Sequence, residues 1–201
     1  MEKKKLYFLR HAQSEYNKIG ILQGDMDPSL SKEGRSHVKK IAPKFKEFGF
    51  KNIVHSSLLR AIQTAEIINE ELNLPVYKKD DLREMEFGEW SSFAKYDKWI
   101  PFRRDFYAND QAPPGGESKS QIFRRVEKAV HEVCLEVDDD PILVVAHGMV
   151  IRVLIGKWFT NDTEEAIRSL EMHNLSMYEV EVEYDGNRVN PIKYKYINTF
   201  E

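Results

Sequence analysis

Short apolar runs that alternate with amphipathic helical patterns are the feature that most constrains the fold of this chain. Residues 6–9 (Leu-Tyr-Phe-Leu) and 142–145 (Ile-Leu-Val-Val) are bounded by polar residues, which is typical of buried strands. Residues 52–55 and 75–77 form two further short strand patterns. Because strands joined by helical crossovers normally lie parallel, the sequence predicts an α/β fold, a three-layer α/β/α sandwich around a mostly parallel sheet.

Helical spacing of apolar residues fills the intervals between these strands. Ser31 is a candidate N-cap for a helix from Lys32, which Pro43 should kink and Gly49 should end. A second helix follows the cap candidates Ser56 and Ser57, a third begins at Glu117, and a fourth covers residues 150–159. The inward-facing positions of the first three are Val38, Ile41, Phe45, Phe48; Ala61, Ala65, Ile68, Leu72; and Ile122, Val126, Ala129, Val133, Val137.

Two other stretches have a distinct character. Residues 178–184 alternate apolar and acidic side chains, which predicts a half-buried strand paired through a turn at 185–187 with a last strand near 192–197. Residues 85–116 have no clean period and are rich in aromatic and basic residues. We interpret them as a small helical and aromatic cap inserted into a single domain of residues 1–201, with most of its aromatic residues forming the cap's own core.

Composition restricts the class of function. The 201 residues suit one large α/β domain, and the net charge of −3 argues against general nucleic-acid binding. The one cysteine, Cys134, excludes an internal disulfide and is expected to be a small buried hydrophobe. No apolar signal segment follows residues 1–5 and no apolar run is long enough to span a bilayer, so we expect a cytoplasmic protein with no membrane partner.

The predicted strands end in residues suited to phosphate. Arg10 and His11 follow the first strand, Arg60 lies one turn beyond the second, and His147 with Gly148 follows the strand at 142–145. The carboxyl ends of parallel strands meet at one edge of a sheet, where open α/β folds bind ligands. Guanidinium groups match phosphate oxygens, and the following helix N-termini would add N–H donors. The sequence therefore predicts an electropositive pocket at this edge.

The order of these blocks resembles the histidine phosphatase superfamily, also called phosphoglycerate-mutase-like. Arg10-His11-Ala12 is similar to its Arg-His-Gly signature, with alanine in place of glycine. Residues 56–65 (SSLLRAIQTA) resemble its Ser-Pro-Leu-x-Arg-Ala-x-Gln-Thr-Ala block, with Ser57 in place of proline. The other matching blocks are Leu30-Ser31 with Gly34, Leu82-Arg83-Glu84 with residues 87–90, residues 114–118, Ala146-His147-Gly148 and residues 174–176.

The resemblance implies roles for particular residues. His11 would attack phosphorus and form a phosphohistidine, while Arg10, Arg60 and His147 stabilise the transferred group and Glu84 acts as general acid and base. It also implies substrate or phosphate contacts from Ser14, Asn17, Gln23, Gly24 and Gly148. Arg103 and Arg104, with Lys95 and Lys98, suggest contacts to a second anionic group on the substrate. No cofactor and no metal are expected.

Four functions are open at this point. A phosphatase acting on a small phosphomonoester metabolite is favoured by the block at 114–118 and by the short cap. A cofactor-dependent phosphoglycerate mutase is kept open by Arg103-Arg104, although residues 85–88 (MEFG) lack the Arg-His-Tyr-Gly typical of mutases. A catalytically silent phosphate-binding protein is disfavoured because the five catalytic positions are intact. A metal site on two histidines is disfavoured because no spacing supplies a third ligand.

Overall fold

A six-stranded mixed sheet forms the centre of the protein. The structure, a computed structural model, describes residues 1–91, 102–161 and 164–198, without the side chains of 102–104. The strands are β1 (Glu2–Arg10), β2 (Asn52–Ser56), β3 (Val76–Lys79), β4 (Ile142–Ala146), β5 (Met177–Tyr184) and β6 (Val189–Ile197). Their order is β3-β2-β4-β1-β5-β6, with the first four parallel and β5 and β6 antiparallel. The predicted mostly parallel sheet and the terminal hairpin are confirmed.

Helices cover both faces of the sheet. They are α1 (Glu15–Lys18), α2 (Lys32–Ile41), α3 (Leu59–Leu72), α4 (Lys119–Glu136), α5 (Gly148–Phe159) and α6 (Glu164–Arg168). Alternate residues of β1 divide between two cores: Leu9 packs with residues of α2 and α3, and Phe8 packs with residues of α4 and α5. Side chains of successive strand residues point to opposite faces, so this division produces the predicted three layers.

The first helical region ends as its prolines and glycines predict. The Ser31 side chain accepts a hydrogen bond from the Gly34 amide (3.0 Å), which confirms Ser31 as the N-cap. The α-helix stops at Ile41, and Pro43 lies in a 3₁₀ segment, Ala42–Phe48. Gly49, at φ 65°, then ends the segment in the left-handed conformation that glycine adopts without steric cost.

Two predicted helix starts are wrong. The N-cap of α3 is Leu58 rather than Ser56 or Ser57, and the first amide of the helix, that of Leu59, donates instead to the Asp27 carboxylate. Ser56 is instead the last residue of β2, and its hydroxyl forms a hydrogen bond with His147. Helix α4 begins at Lys119 rather than Glu117, because Ser118 and Gln121 form a reciprocal capping box there. Glu117 therefore lies outside the helix and is available for an ion pair.

The two ends of the segment 85–116 lie against each other. The Glu89 amide donates to the Pro114 carbonyl and the Glu117 amide donates to the Glu86 carbonyl, both at 2.9 Å. A Cβ on Gly88 would approach the Pro114 oxygen to 2.1 Å, so only glycine fits between these chains. Residues 92–101 lie outside the described residues, so the cap itself stays a prediction.

The described aromatic residues of this segment do not form a separate core. Phe87, Phe106 and Tyr107 are buried in the same cluster as Ile122 of α4 and Val150 of α5. The expectation that the aromatic residues of the cap form a core of their own is wrong for these three, because they pack in the main core with residues of α4 and α5. None of the helices among the described residues has the length and apolar character needed to cross a bilayer.

Candidate active site

The parallel pairing of β1 with β4 brings the two signature histidines together. Arg10 lies opposite Ala146 in this register, so His11 and His147 follow at the same sheet edge. The His11 amide donates to the Ala146 carbonyl (3.0 Å), and the centroids of the two imidazole rings are 5.2 Å apart. Both side chains are buried. The predicted meeting of strand ends is thus observed for these two residues, which are distant in the chain.

Arg60 and Arg10 complete a cationic cluster around the histidines. The Arg60 side chain is fully buried on the first turn of α3, and its two terminal nitrogens donate to the Met26 and Gly24 carbonyls, each at 2.7 Å. The Arg10 guanidinium donates to the Met172 carbonyl. These carbonyls hold both guanidinium groups without neutralising them. The positive charges of Arg60 and Arg10 therefore act on both imidazoles.

Three buried nitrogens of this cluster have no hydrogen-bond partner among the described residues. They are Arg10 Nε, Arg60 Nε and His147 Nδ1. Buried polar nitrogens in folded proteins are almost always paired, so three unpaired ones together need an explanation. A phosphoryl group presents three oxygens that accept hydrogen bonds from guanidinium and imidazole groups. The cluster is therefore suited to bind a phosphoryl group.

The hydrogen bonds of the imidazoles orient them. His11 Nδ1 lies 2.7 Å from the Ala12 carbonyl oxygen, which can only accept, so Nδ1 carries the proton. In neutral His11 the other nitrogen, Nε2, consequently has a free electron pair. His147 Nε2 lies 2.7 Å from the Ser56 hydroxyl, and this contact ties the end of β2 to the end of β4. Sequence reasoning missed this role of Ser56.

Burial and the two arginines keep these histidines neutral. Burial lowers the pKa of His11 well below its usual value, and the charges of Arg60 and Arg10 lower this pKa further. The pKa of His147 is lowered by the same causes, burial first. Burial also lowers the pKa values of Arg10 and Arg60 to about 10, which leaves both protonated at neutral pH. A neutral imidazole among fixed cations is the state that a nucleophile requires.

Glu84 supplies the negative charge of the site. Its carboxylate accepts hydrogen bonds from the Met85 amide (3.0 Å) and from the Met149 amide in the first turn of α5 (3.4 Å). Its charge raises the pKa values of both Arg10 and Arg60, so it lies close to the cationic cluster. The carboxylate is half-buried and lines the wall of a pocket.

A buried ion pair fixes the loop that carries Glu84. Arg125 of α4 forms two hydrogen bonds with the Glu117 carboxylate, both at 2.7 Å. The same guanidinium donates to the carbonyls of Asp81, Arg83 and Glu84, and Glu117 accepts from the Glu86 amide. One arginine thus holds the backbone on both sides of Glu84. No sequence pattern indicated this pair beyond the position of Glu117 in the block at 114–118.

The remaining predicted site residues fall into three groups. Asn17, Gln23, Gly24 and Gly148 line the pocket, and a Cβ on Gly148 would lie 3.2 Å from Arg10 Nε. Ser14 is buried behind them, where its hydroxyl caps α1 and donates to the Gln23 side-chain oxygen (2.8 Å). The side chains of Arg103 and Arg104 lie outside the described residues, so their predicted contacts stay predictions.

The pocket itself measures about 390 Å³ and opens next to Arg10, Glu84 and Gly148. Beyond the predicted residues it is lined by Phe87, which lies in the block at 87–90, and by side chains that no motif marked. The latter are Ile21, Leu22, Tyr107, Met149, Arg152, Arg168, Ser169, Leu170, Glu171, Met172 and His173. Helical spacing from Gly148 would have indicated Arg152, one turn further along α5. Most of the others come from loops and from the segment 85–116, where no period guided the prediction.

Comparison with known proteins assigns the chain to a family. A model of the histidine phosphatase superfamily (branch 1) matches residues 6–194. The chain belongs to this superfamily. It is 32% identical over 155 residues to phosphoserine phosphatase 1 of Hydrogenobacter thermophilus, covering 75% of this chain and 74% of that protein.

Histidine phosphatase superfamily relatives of this chain include both phosphatases and mutases. The chain is 33% identical over 171 residues to a 2,3-bisphosphoglycerate-dependent phosphoglycerate mutase of Nitrobacter winogradskyi, covering 77% and 81% of the two chains. The solved structure of mycobacterial glucosyl-3-phosphoglycerate phosphatase in complex with VO3 is similar with a TM-score of 0.80 at 27% identity, over 96% of this chain and 97% of that one. The resemblance stated from the motifs is confirmed, and so is the fold.

Proposed function

We propose that this protein is a phosphoric monoester hydrolase of the histidine acid type, acting on a small phosphorylated metabolite. The proposal rests on superfamily membership together with one structural observation. That observation is the set of three buried, unpartnered nitrogens on Arg10, Arg60 and His147 beside the neutral His11. Buried nitrogens with unused hydrogen-bonding capacity, two of them on positively charged guanidinium groups, are suited to bind a phosphoryl group and to stabilise it in transfer.

The reaction follows two steps. His11 Nε2 attacks phosphorus, the P–O ester bond breaks, and Glu84, which must be in its protonated form at this step, gives its proton to the departing oxygen. Water then attacks the phosphohistidine while Glu84 takes back a proton, which releases inorganic phosphate and free His11. Arg10, Arg60 and His147 bind the three equatorial oxygens throughout. Asn17, Gln23, Gly24 and Gly148 border the space that the rest of the substrate occupies.

Hydrolysis of p-nitrophenyl phosphate in the presence of EDTA tests the class of reaction. We expect phosphate release that EDTA does not abolish. Because phosphohistidine hydrolyses in acid, the intermediate is trapped at alkaline pH, and the phosphorylated residue is identified by mass spectrometry. The phosphoryl group should lie on His11. The His11→Ala variant should be inactive, whereas His37→Ala, which changes an exposed histidine on α2, should retain activity. Full activity of His11→Ala, or a label on another residue, would refute the proposal.

A phosphoglycerate mutase is the second candidate, because a mutase is among the relatives at 33% identity. A mutase would interconvert phosphoglycerates after priming by a bisphosphate and would release little inorganic phosphate. Assaying 3-phosphoglycerate with and without 2,3-bisphosphoglycerate separates the two activities. Turnover only in the primed reaction, with no hydrolysis of any monoester, would replace the phosphatase by the mutase.

A further inference from the structure

Arg152, like Arg10 and Arg60, has a buried Nε without a hydrogen-bond partner among the described residues, but the proposed mechanism gives it no role. It lines the pocket from α5. Its terminal nitrogen donates to the Leu170 carbonyl (3.0 Å), and its guanidinium interacts with the Tyr107 hydroxyl. Both of these partners are neutral. Arg152 therefore brings a positive charge to the pocket that these contacts do not balance.

One charged neighbour on this wall has a counterion, since Arg168 pairs with Glu164 (3.2 Å). Glu171 lies at the exposed rim, where its carboxylate contacts the His173 imidazole (3.2 Å). In the described part of the chain, no carboxylate lies within ion-pair distance of Arg152. Arg10 and Arg152 both line this pocket, and the charge of Arg152 adds to the burial that lowers the pKa of Arg10. A second anion placed beside Arg152 would balance this charge.

We propose that the pocket contains a second anion site centred on Arg152, and that the substrate carries a carboxylate or a second phosphate in addition to the transferred phosphoryl group. The proposal rests on the phosphatase function and specifies its substrate class. Arg152 lies four residues after Gly148, which borders Arg10, so the backbone positions of Gly148 and Arg152 are about 6 Å apart along α5. That separation fits a compact substrate whose second anionic group is a few bonds from the phosphate ester.

The substrate preference of the wild-type enzyme gives the first test. Each anionic substrate is compared with a matched one that lacks the second group: O-phosphoserine with O-phosphoethanolamine, 3-phosphoglycerate with glycerol 3-phosphate, and propanediol bisphosphate with its monophosphate. We expect a preference in kcat/KM of about tenfold or more for the doubly anionic member of at least one class. The acid pairs and the bisphosphate pair distinguish a carboxylate from a phosphate. Equal kcat/KM values within every pair would overturn the proposal.

The Arg152→Gln variant gives the second test. It should reduce the preferred pair's kcat/KM ratio towards one, whereas Arg188→Gln, which changes an exposed arginine at the β5–β6 turn, should keep the wild-type ratio. Equal losses on both members of a pair would indicate a structural role and would contradict a second anion site. If Arg152→Gln does not fold, Arg152→Lys keeps the charge without the planar fork and should weaken the preference.

Failure of this proposal and failure of the proposed function give different results. An enzyme that hydrolyses p-nitrophenyl phosphate but does not discriminate within the pairs is a phosphatase without this subsite. An enzyme that hydrolyses none of the monoesters, p-nitrophenyl phosphate included, contradicts the phosphatase function and the subsite that depends on it.

Discussion

At the scale of single residues, two buried neutral histidines define the site. His11 and His147 are both inaccessible to solvent, and Arg10 and Arg60 beside them oppose protonation. A residue that stays neutral in the folded protein but accepts a proton in the unfolded chain makes stability depend on pH. The burial and the positive charges that keep His11, the proposed nucleophile, neutral therefore also make the fold sensitive to acid.

We expect the free energy of unfolding to fall as the pH drops below about 6.5. The folded-state pKa values of His11 and His147 are lowered, so the unfolded state binds more protons below the ordinary histidine pKa. The stability is fully present above that value, and each histidine contributes a loss of up to about 1.4 kcal/mol per pH unit below it. Urea denaturation at pH 7.5, 6.5 and 5.5 measures the slope. His147→Asn should make it shallower, and an unchanged slope would contradict the assignment.

We expect Glu84→Gln to reduce kcat about 10²- to 10⁴-fold while inorganic phosphate still binds, because the amide cannot transfer the proton and the cationic cluster is intact. Steady-state kinetics and competitive inhibition by phosphate measure the two properties. Glu89→Gln, which changes an exposed glutamate in the same segment, is the matched control. Loss of phosphate binding in Glu84→Gln would argue for a binding role in place of the acid role.

At the scale of elements, helix α4 positions the loop that carries Glu84. Arg125 contacts the Glu117 carboxylate and the carbonyls of Asp81, Arg83 and Glu84 from one buried guanidinium. An arginine can make this set of contacts because its donors form a planar fork. A lysine would keep the charge but lose the geometry.

We therefore expect Arg125→Lys to lower kcat about 10- to 100-fold with a smaller change in KM, since a small displacement of a catalytic group has an effect of this size. The neighbouring exposed Arg124→Lys should leave both constants near wild type. A double variant identifies the route of the effect. In the Glu84→Gln background, Arg125→Lys should cause little further loss, and a full additional loss would mean that Arg125 acts independently of Glu84.

Elements were predictable from the sequence where a local pattern decides them. The continuous apolar runs at 6–9 and 142–145 are strands that are buried on both faces of the sheet. The stretch at 178–184, which alternates apolar and acidic residues, is a strand with one buried and one partly exposed face. The helix starts at Ser56 and Glu117 were misplaced because tertiary partners, His147 and Arg125, use those side chains. The capping box of Ser118 with Gln121 was readable, since serine followed three residues later by glutamine is its signature.

The residues of the candidate site could likewise be predicted only in part. Arg10, His11, Arg60 and His147 could be placed together because parallel strands end at one edge of a sheet. The pocket wall could not be placed, because Tyr107, Leu170 and Met172 come from segments whose positions only the complete packing determines.

At the scale of the whole molecule, Lys4 joins the start of the chain to the end of α4. Its ammonium donates to the Cys134 carbonyl (2.8 Å) and to the Val137 carbonyl, and lies 5.1 Å from the centre of the Tyr184 ring. A cation at a helix C-terminus offsets the partial negative charge of the unpaired carbonyls. From the sequence, Lys4 was only one of several polar residues before the first strand.

We expect Lys4→Met to lower the free energy of unfolding by about 1–3 kcal/mol, because it leaves buried carbonyls without a donor. Activity at 25 °C should be retained, since Lys4 lies at the end of β1 opposite to Arg10. Thermal or urea denaturation measures the loss. Lys3→Met removes an exposed neighbour with a surface ion pair and should change stability by less than about 1 kcal/mol. Equal losses in both variants would show that the contacts of Lys4 are unimportant.

The register of β1 against β4 has a consequence for how activity arises during synthesis. His11 leaves the ribosome early, but its partner imidazole and the central strand that carries it are made more than 130 residues later. A nascent chain or a proteolytic fragment that stops before β4 holds the proposed nucleophile without His147 beside it. On the proposed mechanism, phosphoryl transfer to His11 therefore requires that β4 has paired with β1.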